Sequence, residues 1–158
     1  MAIDLGAPPA PYLSFWRERH LCTLTTLRPD GTPHVVPVGV TYDPDTGVAR
    51  VLASRGSRKV RNVLAAAEGP GPGARVAVCQ VDGRRWATLE GLATVTTDPG
   101  RIAEGERRYA ERYGRQPRVN PDRAVIEIAV DRALGNVRPA PARAREDGPG
   151  PARGRVTA

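Results

Sequence analysis

Lys59 is the single lysine in a chain of 158 residues, and the other 23 residues of the Lys+Arg count of 24 are all arginine. It ends the run 55–59 (Arg-Gly-Ser-Arg-Lys), between an apolar segment that predicts a strand and an apolar spacing that predicts a helix. A lysine ammonium is a compact point charge, whereas a guanidinium is a flat fork. A strand, a polar turn and a helix start present free N–H groups and the positive end of the helix dipole. Ser57, Arg58 and Lys59 are therefore predicted to bind an anion, the alternative being a lysine on a solvated helix face.

Further polar residues are candidates for contact with a substrate. His34 starts a strand after a proline and either polarises a substrate or faces solvent. Arg84 and Arg85 adjoin a tight turn, where they either meet substrate carboxylates or are solvated. A late helix adds three arginines that favour a solvated face: Arg107, Arg108 and Arg112.

Cysteine and histidine usage argues against a metal site. Cys22 and Cys79 each lie in an apolar, strand-like segment without a CxxC spacing, so both are predicted to be small buried residues. The chain has 2 histidines, and no spacing typical of metal ligands is present. No catalytic set of the Ser-His-Asp kind is visible either.

The net charge of +7 is compatible with nucleic acid or with an acidic small molecule. The sequence contains no helix-turn-helix or RNP pattern and no alternation of aromatic and basic residues, so a basic pocket for a small anion is the favoured interpretation and no nucleic-acid partner is expected. No apolar run is long enough to cross a bilayer, and no signal peptide is visible. We expect a cytoplasmic protein without membrane association.

Strand and turn signals follow one another closely through the middle of the chain. Strands joined mainly by hairpin-type turns, with helices after the third and fifth strands, predict an antiparallel β-barrel with peripheral helices. Proline- and alanine-rich ends predict a flexible segment 1–11 and a disordered tail 138–158 around a domain at 12–137. The predicted elements are helix 12–19, strands 20–27, 33–42 and 48–54, helix 57–67, strands 75–81 and 85–96, helix 98–113 and strand 123–132.

Several of these segments resemble those of a known family, over about residues 15–137. The hairpin 24–38 and the turn 57–62 are similar to the opening of the pyridoxamine 5'-phosphate oxidase-like (PPOX class) split barrels. Segments 80–91, 108–113 and 125–128 resemble the deazaflavin-dependent branch, and within it the F-420-dependent biliverdin reductases. The Gly/Pro loop at 69–73 looks longer than is usual in that family.

This resemblance implies a mainly β protein of the FMN-binding split-barrel type, forming a homodimer with two cofactor sites at the subunit interface. It implies coenzyme F-420, or alternatively FMN, and a planar conjugated acceptor such as biliverdin. The reduced cofactor would supply the hydride, and no side chain is assigned as certainly catalytic. The residues implied to bind the cofactor are Pro37, Val38, Gly39, Ser54, Ser57, Arg58, Lys59, Asn62, Gln80 and Trp86.

Some of these roles have alternatives. Gly39 would let a flat ring approach the backbone. Gln80 and Trp86 would reach the site from either subunit, or else be solvated or pack in the barrel. Three functions therefore compete: an F-420-dependent reductase, an FMN-dependent oxidase and a non-catalytic protein that binds flavin or a tetrapyrrole. The FMN enzyme would need additional phosphate ligands, for which residues 33–54 offer only Arg50.

Overall fold

The computed structural model describes residues 1–138. Three helices surround one antiparallel sheet of eight strands. No helix in this part of the chain has the length and apolar character needed to span a bilayer. The predicted disordered tail lies outside the described residues, apart from Arg138. The elements are β1 (Ala2–Ile3), α1 (Ala10–Arg17), β2 (Cys22–Leu27), β3 (Pro33–Val38), β4 (Thr41–Asp43), β5 (Val48–Ser54), α2 (Arg58–Glu68), β6 (Ala74–Asp82), β7 (Arg85–Thr96), α3 (Pro99–Tyr113) and β8 (Arg123–Asn136).

The strands follow the order β3-β2-β6-β7-β8-β5-β4, and β1 adds to β8. Every neighbouring pair is antiparallel. In the described chain the two end strands of this path, β3 and β4, do not pair with each other, so the barrel is split. The mainly β architecture with peripheral helices confirms the predicted fold class.

Alternation along the strands builds one core. Every second residue of a strand faces inward, and in β2 one of these residues, Leu24, is fully buried. The inward side chains of β6, β7 and β8 complete the core with residues such as Val78, Leu89 and Ile126. Helix α1 covers it with aromatic residues, and the Tyr12 hydroxyl donates to carbonyls of the sheet, one of them Thr88 O at 3.0 Å. The core thus fixes α1 against the barrel.

The strand predicted over residues 33–42 is divided in two. The backbone N–H of Val40 donates to the Tyr113 hydroxyl on α3 at 3.0 Å instead of to a neighbouring strand. The ladder therefore stops after Val38 and resumes at Thr41. Helix α3 is thereby anchored at the break, which the sequence pattern does not reveal.

Ala2 and Ile3 of the N-terminal segment pair with β8, and Ile3 packs against the core, while the flexibility of residues 1–11 stays a prediction. The predicted end of the last strand is corrected, because β8 continues to pair with β7 up to Asn136 rather than ending at 132. The prediction of two buried cysteines is confirmed for Cys22, whereas Cys79 is half-buried on the outward side of β6.

Gly91 lies at the irregularity where the β7–β8 register shifts. A Cβ atom at this position would lie 2.0 Å from the carbonyl oxygen of Ala129, which is backbone and cannot move aside easily. The two strands therefore approach more closely here than any residue with a side chain permits.

We expect Gly91→Ala to destabilise the fold by about 3 kcal/mol or more, because the added methyl group overlaps the backbone of β8. Urea denaturation monitored by circular dichroism measures this change. Gly71→Ala is the matched control, since a Cβ atom at Gly71 meets nothing within 4 Å. Equal stabilities of the two variants would contradict the close approach.

Candidate functional site

The turn between β5 and α2 leaves the start of the helix without a side-chain cap. The Ser57 hydroxyl donates to the Ser54 carbonyl at 2.8 Å, and the Ser57 N–H donates to the same oxygen at 3.0 Å. Ser57 therefore closes the turn without capping α2, and the first turn of α2 contains no acidic residue. The first N–H groups of a helix have no intrahelical acceptor, so this end is suited to an anion.

Lys59 lies in a cleft of about 270 Å³ beside this uncapped end. Gly39 and Ser54 also line the cleft. Burial lowers the pKa of Lys59 from its usual value. Within residues 1–138, no carboxylate lies within salt-bridge distance of the Lys59 ammonium, so its charge is partly desolvated and uncompensated.

Most other buried or half-buried arginines are matched with acidic groups. We call Arg55, Arg58 and Lys59 the basic turn, and none of these three forms an ion pair with a described residue. Cations without counter-charges at a helix N-terminus favour an external anion. The arginines that do form ion pairs are Arg50, Arg75, Arg85, Arg101, Arg107, Arg108, Arg123 and Arg132.

The opposite wall of the cleft comes from residues that the sequence analysis did not select. Asn120 donates from Nδ2 to the Ser54 hydroxyl at 2.8 Å, and the Arg55 N–H donates to the Asp122 carbonyl at 2.9 Å. The pairing of Ser54 with Arg123 brings this segment beside the turn. If the antiparallel pairing of β5 with β8 had been known from the sequence, the closeness of this segment to the turn could have been predicted. Four residues of this wall were missed: Tyr109, Arg118, Asn120 and Arg123.

Gly39 does permit the close approach of a flat ring, but the ring belongs to the protein. A Cβ atom at Gly39 would lie 2.9 Å from Tyr109 Cε2 and 3.1 Å from Tyr113 Cε2. The two tyrosine rings lie 4.8 Å apart between centroids. In this chain Gly39 is therefore needed for the packing of α3, whatever else contacts it.

The other predicted residues of β3 and α2 have different environments. Val38 is buried in the core, and Pro37 points outward, so neither lines the cleft. Asn62 is buried and donates from Nδ2 to the Thr26 hydroxyl at 2.9 Å. This hydrogen bond holds α2 against β2. The Asn62 side chain lies beneath the helix and does not line the cleft, and its implied role as a cofactor ligand stays a prediction.

The side chain of Gln80 also lies in the protein interior. Its side chain is 1% exposed, Nε2 donates to the Phe15 carbonyl at 2.9 Å, and Oε1 accepts from Arg112. Arg112, predicted to be solvated, also donates from Nε to the Glu18 carbonyl at 2.9 Å. The solvated alternative for Gln80 and the solvated face predicted for Arg112 are therefore corrected, because long-range partners hold both side chains inside. The implied contact of Gln80 with the cofactor stays a prediction.

Arg85 is not free to bind a substrate carboxylate. It makes two hydrogen bonds of 2.8 Å to Glu18, contacts Asp82, and lies over the ring of Phe15. The bonds from Arg85, and then from His20, hold the pKa of Glu18 at about 2. Both alternatives offered by the sequence for Arg85, solvation or substrate binding, are corrected by this ion pair.

Two predicted residues lie further from the basic turn. Arg84 is exposed in the β6–β7 turn, and its role stays a prediction. Trp86 pairs with Asn136 at one end of β8, whereas the cleft lies beside Arg123 at the other end. The 14 residues of β8 span roughly 45 Å at about 3.3 Å per residue. Trp86 therefore does not line the cleft of its own chain.

His34 lies near the basic turn. It stands opposite Thr26 on β2, and its Nδ1 atom is buried without a hydrogen-bond partner among the described residues. Desolvation, and then the charges of Arg28, Lys59 and Arg58, lower the pKa of His34 from its usual value. The imidazole therefore adjoins the cations that would hold an anion, and their charges disfavour its protonation.

We expect NMR titration to place the pKa of His34 below 6.5, and Lys59→Ala to raise it, because one neighbouring positive charge is removed. Since folding lowers this pKa, the neutral imidazole favours the folded state above pH 6.5 and loses that contribution as the pH falls through the lowered pKa. Arg132→Ala, which removes a charge on β8, is the control. An unchanged His34 pKa in Lys59→Ala would place the two side chains apart.

Comparison with known proteins agrees with this geometry. Residues 9–136 match the sequence profile of the family described as pyridoxamine 5'-phosphate oxidase. A coenzyme F-420-dependent biliverdin reductase from Mycobacterium tuberculosis (strain CDC 1551 / Oshkosh) is 49% identical over 124 residues, covering 78% of this chain and 85% of that protein.

Solved structures show the same fold. A protein described as an F-420 reductase superposes with a TM-score of 0.62 at 26% identity, covering 81% of this chain and 98% of that one. General Stress Protein 26 from Bacillus anthracis str. Sterne superposes with a TM-score of 0.59 at 20% identity, covering 79% and 90%. The second likeness concerns the fold alone.

Proposed function

The chain belongs to the pyridoxamine 5'-phosphate oxidase family, and we propose that it is an oxidoreductase that uses the reduced deazaflavin coenzyme F-420 to reduce a planar, conjugated acceptor, with biliverdin as the first candidate. A relative that is 49% identical bears the name of that activity. The observation that carries the proposal is the half-buried, uncompensated ammonium of Lys59 at the uncapped start of α2.

The residues present fit a cofactor that carries a phosphate. Ser57, Arg58 and Lys59 would hold the phosphate together with the free N–H groups of α2. Ser54 and Arg118 line the same cleft, and Arg118 forms no ion pair with another described residue. The basic turn and Arg118 would therefore also attract the carboxylates of the F-420 tail.

The coenzyme, when bound, supplies the hydride, so the protein has to position it and control its surroundings. Lys59 neutralises the anionic part, and its partial burial strengthens this attraction relative to water. The bonds from Asn120 and to Asp122 keep the turn in place. Tyr109, whose hydroxyl accepts from Arg115 at 3.2 Å, lines the cleft beside Gly39. Solvent can deliver the proton to the acceptor, and no side chain is assigned as an obligatory acid.

The FMN alternative finds less support in the geometry. Its additional phosphate ligand would have been Arg50, but the Arg50 Nε atom lies 3.6 Å from a carboxylate oxygen of Glu127. Only 13% of the Arg50 side chain is exposed. Arg50, the one arginine of strands β3 to β5, is therefore already paired with a carboxylate.

We expect the full-length protein to oxidise reduced F-420 when biliverdin is supplied, measured by F-420 absorbance against a panel that includes a quinone and a nitroaromatic. Lys59→Ala should weaken F-420 binding more than tenfold, about 1.5–3 kcal/mol, because a charge-assisted contact is lost. Lys59→Arg should retain part of the affinity.

Arg61→Ala is the matched control, because it removes the same charge from α2 at an exposed residue outside the cleft. Unchanged F-420 binding by Lys59→Ala would contradict the assignment of the turn. Tight FMN binding in place of F-420 would favour the oxidase, and tetrapyrrole binding without oxidation of reduced F-420 would favour a non-catalytic protein.

A homodimer is part of this proposal and is supported by the outward side of the sheet. Antiparallel sheets that face water normally present polar side chains outward. On β3, β2 and β6 the outward side is instead largely uncharged, with Val35 55% and Val81 63% exposed. We call this surface the outer face, and it also contains Thr23 and Pro37, which pair across β2 and β3. A second copy is the occupant that this family suggests.

Trp86 adjoins the outer face. It pairs directly with Val81, and directly opposed residues of antiparallel strands share one side of the sheet. Trp86 would therefore reach the cofactor site only from the partner subunit, which is one of the arrangements that the sequence left open. The cytoplasmic location stays a prediction.

We expect sedimentation velocity to find a dimer for the wild-type protein and a monomer for Val35→Glu, because a buried, unpaired carboxylate opposes association. Leu64→Glu, at an exposed position on α2, is the control for the added charge. A wild-type protein that sediments as a monomer, or a Val35→Glu variant that remains a dimer, would contradict this interface.

A further inference from the structure

His34 is connected to the start of α2 by a short chain of contacts through β2. Directly opposed residues of antiparallel strands share one side of the sheet, so the His34 side chain lies beside Thr26. The Thr26 hydroxyl accepts from Asn62 Nδ2 at 2.9 Å. On α2, Arg58 and Lys59 lie one helical turn before Asn62, close to it on the helix surface. The histidine and the two cations therefore approach one another from β3 and from α2.

The two ring nitrogens of His34 have different surroundings. Nδ1 is buried without a hydrogen-bond partner among the described residues. Nε2 has no hydrogen-bond partner in residues 1–138 either, but it is not one of the buried atoms, so the half-buried ring is accessible at this nitrogen. A neutral imidazole carries one N–H, and its placement on Nε2 avoids a buried donor without an acceptor. The ring therefore presents its N–H group at the accessible nitrogen.

The charges around His34 are all positive. Arg28 acts on the ring from the β2–β3 turn, where its Nη1 donates to the Pro33 carbonyl at 2.6 Å. Arg58 and Lys59 act on it from α2, and no carboxylate of the described chain is among the charges that affect it. A fourth positive charge would be repelled here, whereas a neutral N–H adds a hydrogen bond without adding repulsion. An oxyanion is the ligand that matches this combination of cations and donors.

The position of His34 also indicates where such an anion would lie. His34 does not line the cleft of Lys59, whereas Ser54 and Arg118 do. A ligand group that contacts His34 and Lys59 together would therefore occupy the space between β3 and the first N–H groups of α2. Arg118, on the opposite wall of the cleft, would be left for other negative groups of the same ligand.

We propose that His34 is a ligand of the anion bound at the basic turn, and that it binds as a neutral donor through Nε2–H. This inference rests on the proposed function, since the anion would be the phosphate of F-420. It assigns that phosphate to the β3 side of Lys59. His34 would bind and position the cofactor there without exchanging a proton, and it would not polarise the acceptor.

Sulfate is a suitable probe, because this oxyanion does not change its charge around neutral pH. The readout is the pair of imidazole ¹⁵N signals, which report separately on Nδ1 and Nε2 and identify the tautomer. The chain has 2 histidines, so the variant His20→Gln leaves only the ring signals of His34. At constant ionic strength we expect sulfate to shift the Nε2 signal saturably, with the hydrogen remaining on Nε2. Lys59→Ala should lose this response, because the same anion contacts both residues.

Two substitutions separate binding from packing. His34→Leu removes the donor and should weaken the binding of sulfate and of F-420 about fivefold or more. His34→Gln, whose side-chain amide can still donate, should recover most of that loss, which a role in packing alone does not predict. His20→Gln is the matched control, because His20 is paired with Glu18 at 3.0 Å, and this variant should bind both anions normally.

The outcomes distinguish this inference from the proposed function. A sulfate response at Nε2 in a protein that does not bind F-420 would contradict the function and support the assignment of His34. Full F-420 affinity in His34→Leu would overturn the assignment, even in an active reductase. The absence of a sulfate response at Nε2, or protonation of Nδ1 in the bound state, would overturn it as well.

Discussion

The uncompensated charge of Lys59 is the constraint from which the site follows. A partly buried ammonium without a counter-charge is unfavourable for folding, because desolvation opposes its charged form. The chain retains it at a helix start where no side chain caps the N–H groups. Under the proposed function, one bound anion would relieve both unfavourable features together, which accounts for their occurrence at the same place.

The barrel is what makes this turn a rigid site. Antiparallel pairing of β5 with β8 sets Ser54 against Arg123, so the segment before β8 forms the second wall. Asn120 and Asp122 then bond to Ser54 and Arg55 across the cleft. A turn held by its neighbouring strand loses little conformational freedom on binding, and this preorganisation favours affinity.

Local patterns sufficed for much of the fold and for the position of the polar turn between β5 and α2. Alternation identified the strands, and the polar run ending at Lys59 lies where a strand meets a helix, as predicted. The errors concern residues whose partners are distant in sequence. Gln80 bonds to Phe15, and Arg85 pairs with Glu18, across more than 60 positions. A single sequence shows that a side chain is polar, but not which distant group has already satisfied it.

The candidate site is located by the same distinction, between polar side chains that already have partners and those that do not. A neighbour of 20% identity shares the barrel. A fold does not by itself require a particular chemistry. Most half-buried arginines of this chain serve the fold through carboxylates, as Arg108 does with Asp43 at 3.0 Å. The cations left over are therefore the informative ones. At the basic turn they adjoin free N–H groups, so under the proposed function the chemistry that these residues would supply is the holding of an anion.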